Sequence, residues 1–323
     1  MGQRYRLVRL VGRGGMGEVW EAVNTWTERR VALKLMGSGE GDRARTTASP
    51  ERVERFLREA KVTARVRHPH VVDVLDMGND PDHGGLYIVY EFLDGETLRA
   101  RLDRDGRLSP QDALVLVAPA MEGVAEAHRR GVIHRDLKPE NIFLARGADG
   151  RVTPCVIDFG IAAVETTPTD PSLTRTGEAL GTARYMAPEQ CRGDADVDAR
   201  VDVWAFGVVL HEALTGTAPF EGSGYNQVLA AILTRDAPPL HEARADLPAP
   251  LCAAVDKALA RDRDGRHATV EAFLRALSST TSPPATSRKR IGRRAALALL
   301  GAVAVALLPM LAGARRSASP ASR

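Results

Sequence analysis

The sequence is poor in cysteine and in lysine. Its three cysteines, Cys155, Cys191 and Cys252, are widely spaced and odd in number, so neither a disulfide framework nor a zinc site is indicated. Five of the 44 basic residues are lysines, and a lysine inside a motif therefore stands out. With 29 glycines and 19 prolines, the composition excludes a collagen-like or a disordered chain.

The sequence also lacks a strong excess of either charge. A formal net charge of +3 over 323 residues is too small to indicate a nucleic-acid partner. The charge is unevenly distributed, because residues 288–323 contain eight basic and no acidic residues. Residues 1–287 contain 36 basic and 41 acidic residues, so an acidic body of about two domains precedes a basic tail.

A long uncharged run is found near the C-terminal end of the sequence. The N-terminus has no apolar segment of the kind that a signal peptide needs. Residues 295–314 form an uncharged run of twenty residues, rich in Ala, Leu and Val. A helix of that length spans about 30 Å, the thickness of the hydrocarbon core of a bilayer. We therefore expect a transmembrane helix at 295–314, after a linker and basic juxtamembrane segment at 278–294 and before a short extracytoplasmic tail at 315–323.

The basic residues around this run favour a cytoplasmic N-terminal side. Five basic residues precede the run and three follow it, and the cytoplasmic flank of a span is usually the more positive one. The expected location is therefore a cell membrane, crossed once, with the body in the cytoplasm. A buried or an amphipathic helix remains open as an alternative, since eight of the twenty residues are alanines and Pro309 interrupts them.

A glycine-rich turn lies near the start of the chain. Apolar residues alternate with polar ones on both sides of Gly12, Gly14, Gly15 and Gly17, which predicts two strands joined by the turn. Glycines let backbone N–H groups approach phosphate oxygens. A Walker A loop needs Lys-Ser/Thr after its last glycine and a Rossmann loop needs a helix there, but residues 18–23 alternate like a strand. On these residues alone, a phosphate-binding flap and a structural turn are equally open.

A lysine and a glutamate follow this turn. Lys34 lies in an apolar segment, 31–36, that predicts a strand, and its spacing from the glycines favours a phosphate ligand over an edge position. Residues 51–67 have helix formers with apolar residues three or four apart, which predicts a helix ended by His68-Pro69. Glu59, midway along this helix, is a candidate partner of Lys34, or else a solvated carboxylate.

Three further segments complete a pattern of motifs. Their sequences are His-Arg-Asp-Leu-Lys-Pro-Glu-Asn at 134–141, Asp-Phe-Gly at 158–160 and Ala-Pro-Glu at 187–189. Together with the glycines at 12–17 and Val-Ala-Leu-Lys at 31–34, they resemble the protein-kinase signature set in order and spacing. The sequence is most similar to bacterial eukaryotic-like Ser/Thr protein kinases that have a C-terminal transmembrane anchor.

This resemblance implies an α+β, bilobal protein-kinase fold. The small lobe, residues 1–93, would hold an antiparallel sheet and one main helix. The larger lobe, residues 94–277, would be mainly helical, and the single C-terminal transmembrane helix would follow it.

The resemblance also implies ATP- and Mg²⁺-dependent phosphoryl transfer to Ser or Thr hydroxyls of protein substrates. Asp136 would orient the attacking hydroxyl, and Lys138 would neutralise charge on the γ-phosphate. Asn141 and Asp158 carry the oxygen donors that suit Mg²⁺. Phosphoryl transfer depends mainly on positioning and on charge neutralisation, which these residue types provide.

An ATP site between the lobes is part of the same expectation. Lys34, oriented by Glu59, would hold the α- and β-phosphates, and Tyr90 would be the gatekeeper beside the adenine. The residues expected to bind ATP are Val11, Gly12, Gly14, Gly15, Gly17, Val19, Ala32, Lys34, Glu59, Glu91, Leu93 and Phe143.

The resemblance assigns structural roles to five further residues. Thr182 would lie near the catalytic aspartate and lysine, and Asp202 would anchor the catalytic loop from a buried helix. Glu189 and Arg266 would form the buried ion pair of the larger lobe. Arg135 directly precedes Asp136, as in kinases that are switched on by phosphorylation of the activation loop.

Thr174 and Thr176 are the expected phosphorylation sites. They precede Thr182 at the spacing of the autophosphorylated pair in the resembling family. A phosphate adds about −1.5 to −2 charges and orders a loop through arginine pairing. An ordinary hydroxyl-rich loop remains the alternative.

Two other functions compete with protein kinase activity. A pseudokinase scaffold would bind nucleotide and partners without catalysis. It is disfavoured because the residues expected to act in catalysis are all present, namely Lys34, Glu59, Asp136, Asn141 and Asp158. A small-molecule phosphotransferase of the same fold would typically lack the Ala-Pro-Glu segment and the lysine at 138. A homodimer is also possible, because Ala298, Ala302 and Ala306 form a stripe of small residues along the expected span.

Overall fold

The protein has two parts, a five-stranded sheet and a mainly helical part with a small sheet of its own. The computed structural model describes residues 4–14, 17–36, 60–61, 64–80, 85–159 and 181–279. The large sheet has the strand order β1-β2-β3-β5-β4 with antiparallel neighbours. Its strands are β1 (Tyr5–Gly14), β2 (Gly17–Asn24), β3 (Arg30–Met36), β4 (Val74–Asp80) and β5 (Gly85–Glu91).

The glycine-rich turn joins β1 to β2, as the alternation of apolar residues predicted. Gly14 lies opposite Gly17 in the antiparallel pair. Gly17 has a φ of 132°, a backbone conformation that favours glycine. The next strand, β3, places Lys34 opposite Val19 of β2, so the lysine lies close to the base of the glycine turn. The prediction of strands on both sides of the glycines and at 31–36 is confirmed.

The two faces of this sheet carry different side chains because successive residues of a strand point to opposite faces. Leu33 and Val89 belong to one apolar cluster, and Ile88 and Tyr90 belong to another. In β3, Lys34 is separated from Leu33 by one step, so it shares its face with Ile88, its cross-strand neighbour. Lys34 therefore lies on the face that carries Tyr90.

The helix predicted over 51–67 ends earlier than the sequence indicated. Residues 60–61 are helical, and the N–H of Ala64 still bonds to the carbonyl of Ala60 at 2.9 Å. Residues 66–68 are not helical. Val66 is 3% exposed and belongs to the core of the helical part, so the chain leaves the helix to bury this side chain. The first part of the predicted helix, 51–59, lies outside the described residues.

The helical part is built around one continuous apolar core. One of its helices, α4, is buried at every residue from Val201 to Leu214. Its residues in this range are apolar on most sides, as expected for a buried helix, and Asp202, His211 and Glu212 are the polar exceptions. The helices of this part are α1 (Leu98–Asp105), α2 (Pro110–Arg129), α3 (Pro188–Arg192), α4 (Arg200–Thr215), α5 (Tyr225–Thr234), α6 (Leu240–Ala243), α7 (Ala249–Ala258) and α8 (Val270–Ser278).

Local sequence signals set the start of the two helices that lead to the site. The hydroxyl of Thr97 accepts a hydrogen bond from the N–H of Ala100 and caps α1. The hydroxyl of Ser109 accepts one from the N–H of Asp112 and caps α2, whose first residue is a proline. Such caps satisfy N–H groups that have no partner inside the helix.

A three-stranded sheet connects the two parts. Its antiparallel strands, in the order β6-β7-β8, are β6 (Gly95–Thr97), β7 (Ile142–Arg146) and β8 (Val152–Val156). A short 3₁₀ turn, Pro139–Asn141, leads directly into β7. Val156 makes backbone hydrogen bonds of 2.9–3.0 Å with His70 and Val72, which precede β4. This contact ties the segment before β4 to the helical part.

The expected membrane segment lies outside the described residues. Contacts divide the chain into two units, Met1–Thr280 and Thr281–Arg323, and the second contains the run at 295–314. Within the part of the chain that the structure describes, no helix has the length and apolarity needed to cross a membrane. The boundary placed at 93/94 between two lobes stays a prediction.

Candidate active site

Three of the residues singled out in the sequence meet where the 134–141 segment faces the start of the 181–187 segment. The Nζ atom of Lys138 lies 3.0 Å from Oδ2 of Asp136 and 2.8 Å from the hydroxyl oxygen of Thr182. The side chains of Asp136 and Lys138 are 11% and 16% exposed, so both reach solvent from a largely buried position. The carboxylate is therefore held by an ammonium group on one side and remains accessible on another.

Asn141 binds the same aspartate from the 3₁₀ turn. Its Nδ2 atom donates to the backbone carbonyl of Asp136 at 2.7 Å and lies 3.3 Å from Oδ2 of that residue. Both contacts use the amide nitrogen, because both partners are acceptors. The amide oxygen is thereby turned to the other side, where it is an oxygen donor of the kind that Mg²⁺ prefers.

Lys34 and Asp158 bring the two parts of the molecule together. The Nζ atom of Lys34 lies 2.9 Å from Oδ1 of Asp158, and the two side chains are 11% and 28% exposed. Asp158 lies two residues after the end of β8 and has a φ of 56°, a left-handed conformation that is uncommon for a residue other than glycine. Glu59, the expected partner of Lys34, lies outside the described residues.

Asp202 holds the start of the catalytic segment from the buried helix α4. It is fully buried and accepts hydrogen bonds from the N–H of His134 at 2.8 Å, the N–H of Arg135 at 2.9 Å and Nε2 of His128 at 2.7 Å. Burial by itself raises the pKa of Asp202, but the bond from His128 and the nearby donors outweigh it, so its pKa lies below the ordinary value. Asp202 is therefore a carboxylate that fixes Arg135, whose φ is 65°.

His134 links this segment to the Asp158 segment. Its Nδ1 atom accepts from the N–H of Asp136 at 3.3 Å, so its Nε2 atom carries the proton and donates to the carbonyl of Ile157 at 3.2 Å. Its ring also packs against Phe159 with centroids 4.8 Å apart. Because the imidazole of His134 contacts both segments, it helps to fix the position of Asp136 relative to Asp158.

The residues expected around the adenine lie on the strands next to Lys34. Tyr90 is 8% exposed and packs in one cluster with Ala32 and Leu93. Burial, together with the negative charge of Asp158, raises the pKa of the Tyr90 hydroxyl well above its ordinary value. Glu91 accepts a hydrogen bond from the N–H of Asp73 at 3.0 Å, which fixes the end of β5.

The position of Phe143 depends on Gly95, where the backbone passes very close to the carbonyl group of Leu144. Phe143 of β7 lies opposite Thr97 of β6. Gly95 has a φ of 151°, and a Cβ added there would collide with the carbonyl of Leu144 and press on the ring of Phe143. Glycine is therefore required at the point where the chain passes from β5 into the small sheet.

Among the remaining candidates for ATP binding, Val11 is 50% exposed and Gly12 is also exposed. Gly14 and Gly17 end β1 and begin β2, and Val19 is half-buried. Gly15 lies outside the described residues, as do Thr174 and Thr176. The structure therefore brings the base of the glycine turn close to Lys34. The roles expected for Gly15, Thr174 and Thr176 stay predictions.

Glu189 and Arg266 form a buried ion pair behind this site. The guanidinium lies 2.7 Å and 2.9 Å from the two carboxylate oxygens, and the side chains of Arg266 and Glu189 are 0% and 2% exposed. Arg266 also lies over the ring of Trp204 at 4.9 Å, and Trp204 stacks on Phe220 with centroids 5.5 Å apart. This pair fixes α3, which begins one residue before Glu189.

The sequence did not single out a second polar cluster beside the site. The hydroxyl of Tyr185 donates to Glu212 at 2.6 Å, and Nη1 of Arg99 lies 2.6 Å from the other oxygen of Glu212. Burial raises the pKa of Tyr185 and also that of Glu140, which is close to this cluster. Arg99 and Glu212 are 113 residues apart, so no local pattern could have paired them.

Gln190 was also missed. It follows Glu189 in α3, and its side-chain amide bonds to the backbone of both Ala187 and Arg135. The only sequence signal is that a polar residue follows the Ala-Pro-Glu segment, which is too general to indicate a role.

Comparison with protein-family models gives one match that covers most of the chain. Residues 5–275 match the family described as protein kinase domain. The matched range contains every motif that meets in this site.

Similar curated proteins and solved structures include bacterial kinases. The chain is 36% identical over 327 aligned residues to the serine/threonine-protein kinase PknA of Mycobacterium tuberculosis, covering 99% of this chain and 72% of that protein. It is 39% identical over 271 residues to PknB of Mycolicibacterium smegmatis, covering 83% and 41%. The crystal structure of the Mycobacterium tuberculosis PknI kinase domain superposes with a TM-score of 0.64 at 29% identity, covering 85% of this chain and 96% of that domain.

Proposed function

The chain belongs to the protein kinase family and is a protein serine/threonine kinase, and from this premise we propose that it uses ATP and Mg²⁺ to phosphorylate Ser or Thr hydroxyls of proteins while anchored in a cell membrane. The observation that supports the mechanism best is the contact of Lys138 with both Asp136 and Thr182. It places a cation beside a carboxylate that can accept the proton of a hydroxyl group.

Asp136 orients the attacking hydroxyl in this mechanism. Its carboxylate oxygens accept a hydrogen bond from the substrate hydroxyl and turn the oxygen lone pair towards the phosphorus atom. Lys138, 3.0 Å from Oδ2 of Asp136, faces the charge that develops on the transferred phosphoryl group. Since positioning supplies most of the rate enhancement in phosphoryl transfer, the tight hold on Asp136 by Lys138 and Asn141 supports this role.

The residues present fit a magnesium site. Asn141 uses its amide nitrogen for Asp136 and so offers its oxygen, and the Asp158 carboxylate is 28% exposed, which gives the hard oxygen donors that Mg²⁺ takes. When bound, Mg²⁺ would neutralise charge on the phosphate oxygens. Lys34, 2.9 Å from Asp158, would hold the α- and β-phosphates beside these donors.

The proposed catalytic role of Asp136 is tested with the full-length chain, labelled ATP, Mg²⁺ and a generic protein substrate. We expect Asp136→Asn to lower phosphate transfer about 100-fold or more. The matched control is Asp149→Asn, because Asp149 lies in the β7–β8 turn with a side chain 60% exposed, and it should retain full activity. Transfer that survives Asp136→Asn contradicts the mechanism, and no transfer by the wild type with any divalent cation supports a pseudokinase scaffold instead.

Activation by autophosphorylation at Thr174 and Thr176 is a separate part of the proposal. It rests on the spacing of these threonines before Thr182 and on the exposed arginine, Arg135, that precedes the catalytic aspartate. We expect Thr174→Ala/Thr176→Ala to lower the activity towards added substrate, whereas Thr166→Ala/Thr167→Ala should leave it unchanged. Equal activity and equal phosphate content in the two double variants would contradict the assignment.

Membrane anchoring rests on the uncharged run at 295–314 and its basic flanks. We expect the full-length protein to stay in the membrane fraction after an alkaline wash, and Ala302→Arg to release it. Ala285→Arg in the linker is the matched control and should not change the distribution. Recovery of the wild type in the soluble fraction would show that the run does not anchor the chain.

Dimerisation through Ala298, Ala302 and Ala306 is tested by crosslinking in membranes. A bulky side chain on a stripe of small residues prevents close helix approach, so Ala302→Ile should lower the crosslinked fraction. Equal crosslinking of both proteins excludes this interface.

A further inference from the structure

The backbone around Asp136 is held by side chains on several sides. The N–H of Arg135 donates to Asp202 at 2.9 Å, and the N–H of Asp136 lies 3.3 Å from Nδ1 of His134. The carbonyl of Asp136 accepts from Asn141 at 2.7 Å. His134 and Asn141 lie within the 134–141 motif, and Asp202 was singled out as the residue that anchors this segment.

A fourth partner lies outside those motifs. The Nε2 atom of Gln190 donates to the carbonyl of Arg135 at 2.8 Å, and the Oε1 atom of Gln190 accepts from the N–H of Ala187 at 3.0 Å. A backbone carbonyl can only accept and a backbone N–H can only donate, so the two partners settle which end of the amide is which. Gln190 therefore bridges the segment before α3 and the peptide that leads into Asp136.

This peptide needs support because its conformation is an unfavourable one. Arg135 has a φ of 65°, and a left-handed residue other than glycine persists only where its surroundings hold it. Asp202 holds the N–H of Arg135 and Gln190 holds its carbonyl, so the residue is fixed from both ends. Rotation of the peptide that follows would move the Cα atom of Asp136 directly.

The other end of the bridge is anchored in the core. Gln190 follows Glu189, whose carboxylate makes two bonds to the fully buried Arg266. The helix that carries Gln190 is therefore held by a buried ion pair, and the amide transfers that fixed position to the catalytic segment.

We propose that Gln190 is a positioning residue for phosphoryl transfer, which sets the orientation of Asp136 through the carbonyl of Arg135. This inference rests on the proposed role of Asp136. Loss of the amide leaves the carbonyl of Arg135 without its side-chain donor and removes one of the two restraints on the left-handed residue. A misplacement of the reacting groups by about 1 Å costs up to about 100-fold in rate, so a partial release should be visible in kcat.

The first test compares Gln190→Met and Gln190→Glu with matched variants of Gln227. Gln227 also bonds a backbone N–H through its amide, that of Ser223 at 3.0 Å, but this partner lies four residues away in the same segment and not in the catalytic segment. Initial rates are measured on full-length proteins pretreated with a phosphatase so that phosphate content is equal. We expect both Gln190 variants to lower kcat about tenfold with the KM for ATP unchanged, whereas Gln227→Met and Gln227→Glu retain the wild-type kcat.

The second test uses the pH dependence of Gln190→Glu. An ionised glutamate keeps an acceptor for Ala187 but faces the carbonyl of Arg135 with a second acceptor, whereas a protonated glutamate supplies an O–H donor there. We expect the ratio of kcat of Gln190→Glu to wild type to rise as the pH falls towards the pKa of that carboxyl group. Gln190→Met should show a constant ratio.

Three outcomes would overturn the proposal. They are a kcat for both Gln190 variants within about twofold of wild type, a loss of kcat matched by an equal loss in the Gln227 variants, and a ratio for Gln190→Glu that does not change with pH. In each case a wild type that is active and an inactive Asp136→Asn leave the proposed function standing, so the two failures are distinguishable.

Discussion

Charged residues are used differently in the two parts of the molecule. In the helical part, Asp202, Glu189 and Arg266 are each at most 3% exposed and are fully engaged in hydrogen bonds. On the five-stranded sheet, Arg30 of β3 pairs with Asp94, which follows β5, and the two side chains are 48% and 68% exposed. The helical part therefore has an ion pair that is buried at both partners, in addition to exposed pairs such as Arg263–Asp196. Each ion pair seen in the described part of the sheet keeps at least one partner in contact with water.

Buried and exposed ion pairs differ in how strongly they hold the geometry of the residues around them. A buried charge is expensive to leave unpaired, so its partners hold one geometry strongly. An exposed pair is screened by water and salt and holds its geometry weakly. Asp136, which is expected to act on the substrate hydroxyl, follows Arg135, whose N–H is held by the buried Asp202. In the described part of the sheet that carries the glycine turn, no ion pair is buried at both partners. The position of Asp136 therefore depends on buried charges much more strongly than the geometry of the sheet does.

Arg266→Met should produce the largest effect, because it leaves the Glu189 carboxylate buried without its partner. We expect the free energy of unfolding to fall by about 3–5 kcal/mol, measured by denaturant unfolding. Arg263→Met is the matched control, since Arg263 pairs with Asp196, whose side chain is 72% exposed, and should cost less than about 1 kcal/mol. Similar losses in both variants would mean that burial does not distinguish the two pairs.

Asp202→Asn should come next and should depend on pH. The variant replaces a carboxylate that accepts three bonds, and we expect a loss of about 2 kcal/mol at pH 7 together with a lower kcat. Because the pKa of Asp202 is lowered in the folded protein, its contribution is complete above the unfolded-state pKa of about 3.9 and is lost as the pH falls through the lower folded-state value. The difference in stability between wild type and variant should therefore be constant from neutral pH down to about pH 5 and shrink below about pH 4.

Gly95→Ala tests the junction between the two regions. The new Cβ would collide with the carbonyl of Leu144 and require an unfavourable backbone conformation. We expect a loss of about 1–3 kcal/mol in stability and a higher KM for ATP, since Phe143 would shift. Gly224→Ala is the control, because a Cβ at Gly224 has no atom within 4 Å. An unchanged KM for ATP in Gly95→Ala would separate this junction from the nucleotide site.

The smallest effect is expected for the exposed chain of charges on the sheet. Arg30 contacts Glu21 at 2.9 Å and Asp94 at 3.4 Å, and its guanidinium lies over the ring of Phe92 at 4.1 Å. A double-mutant cycle of Arg30→Ala and Asp94→Ala should give a coupling below about 1 kcal/mol. The coupling should fall further in 1 M salt. A coupling as large as that of the buried pair would break the contrast between the two regions.

Local patterns predicted the parts of the fold that depend on local spacing. The strands around the glycine turn and at 31–36 followed from alternation, and both are present. The end of the helix near residue 64 did not follow, because it depends on Val66 reaching a core assembled from distant helices. Helix formers alone could not reveal that competition.

The candidate site likewise contains residues that the sequence could locate and residues that it could not. The motif residues Asp136, Lys138 and Asn141 could be located from their order, and the structure brings them into contact, while their roles stay predictions. Gln190 and the Arg99–Glu212 pair could not be located, since a single polar side chain shows its value only when its partner from another segment is known. Contacts between distant segments are the part of the site that one sequence does not reveal.

The placement of tryptophan in the two regions makes them spectroscopically distinct. Of the three tryptophans in the chain, Trp204 is 1% exposed and Trp26 is 74% exposed. Indole emission moves to longer wavelength when the ring enters water, so the short-wavelength emission of the native protein should come mainly from Trp204. Its loss during unfolding would report the opening of the helical core around Arg266, while the emission of Trp26, already in water, would change little. Trp20 is half-buried against the apolar cluster of the sheet, so its emission would also change on unfolding. In a Trp20→Phe variant, intrinsic fluorescence can therefore follow the helical core without introducing a label.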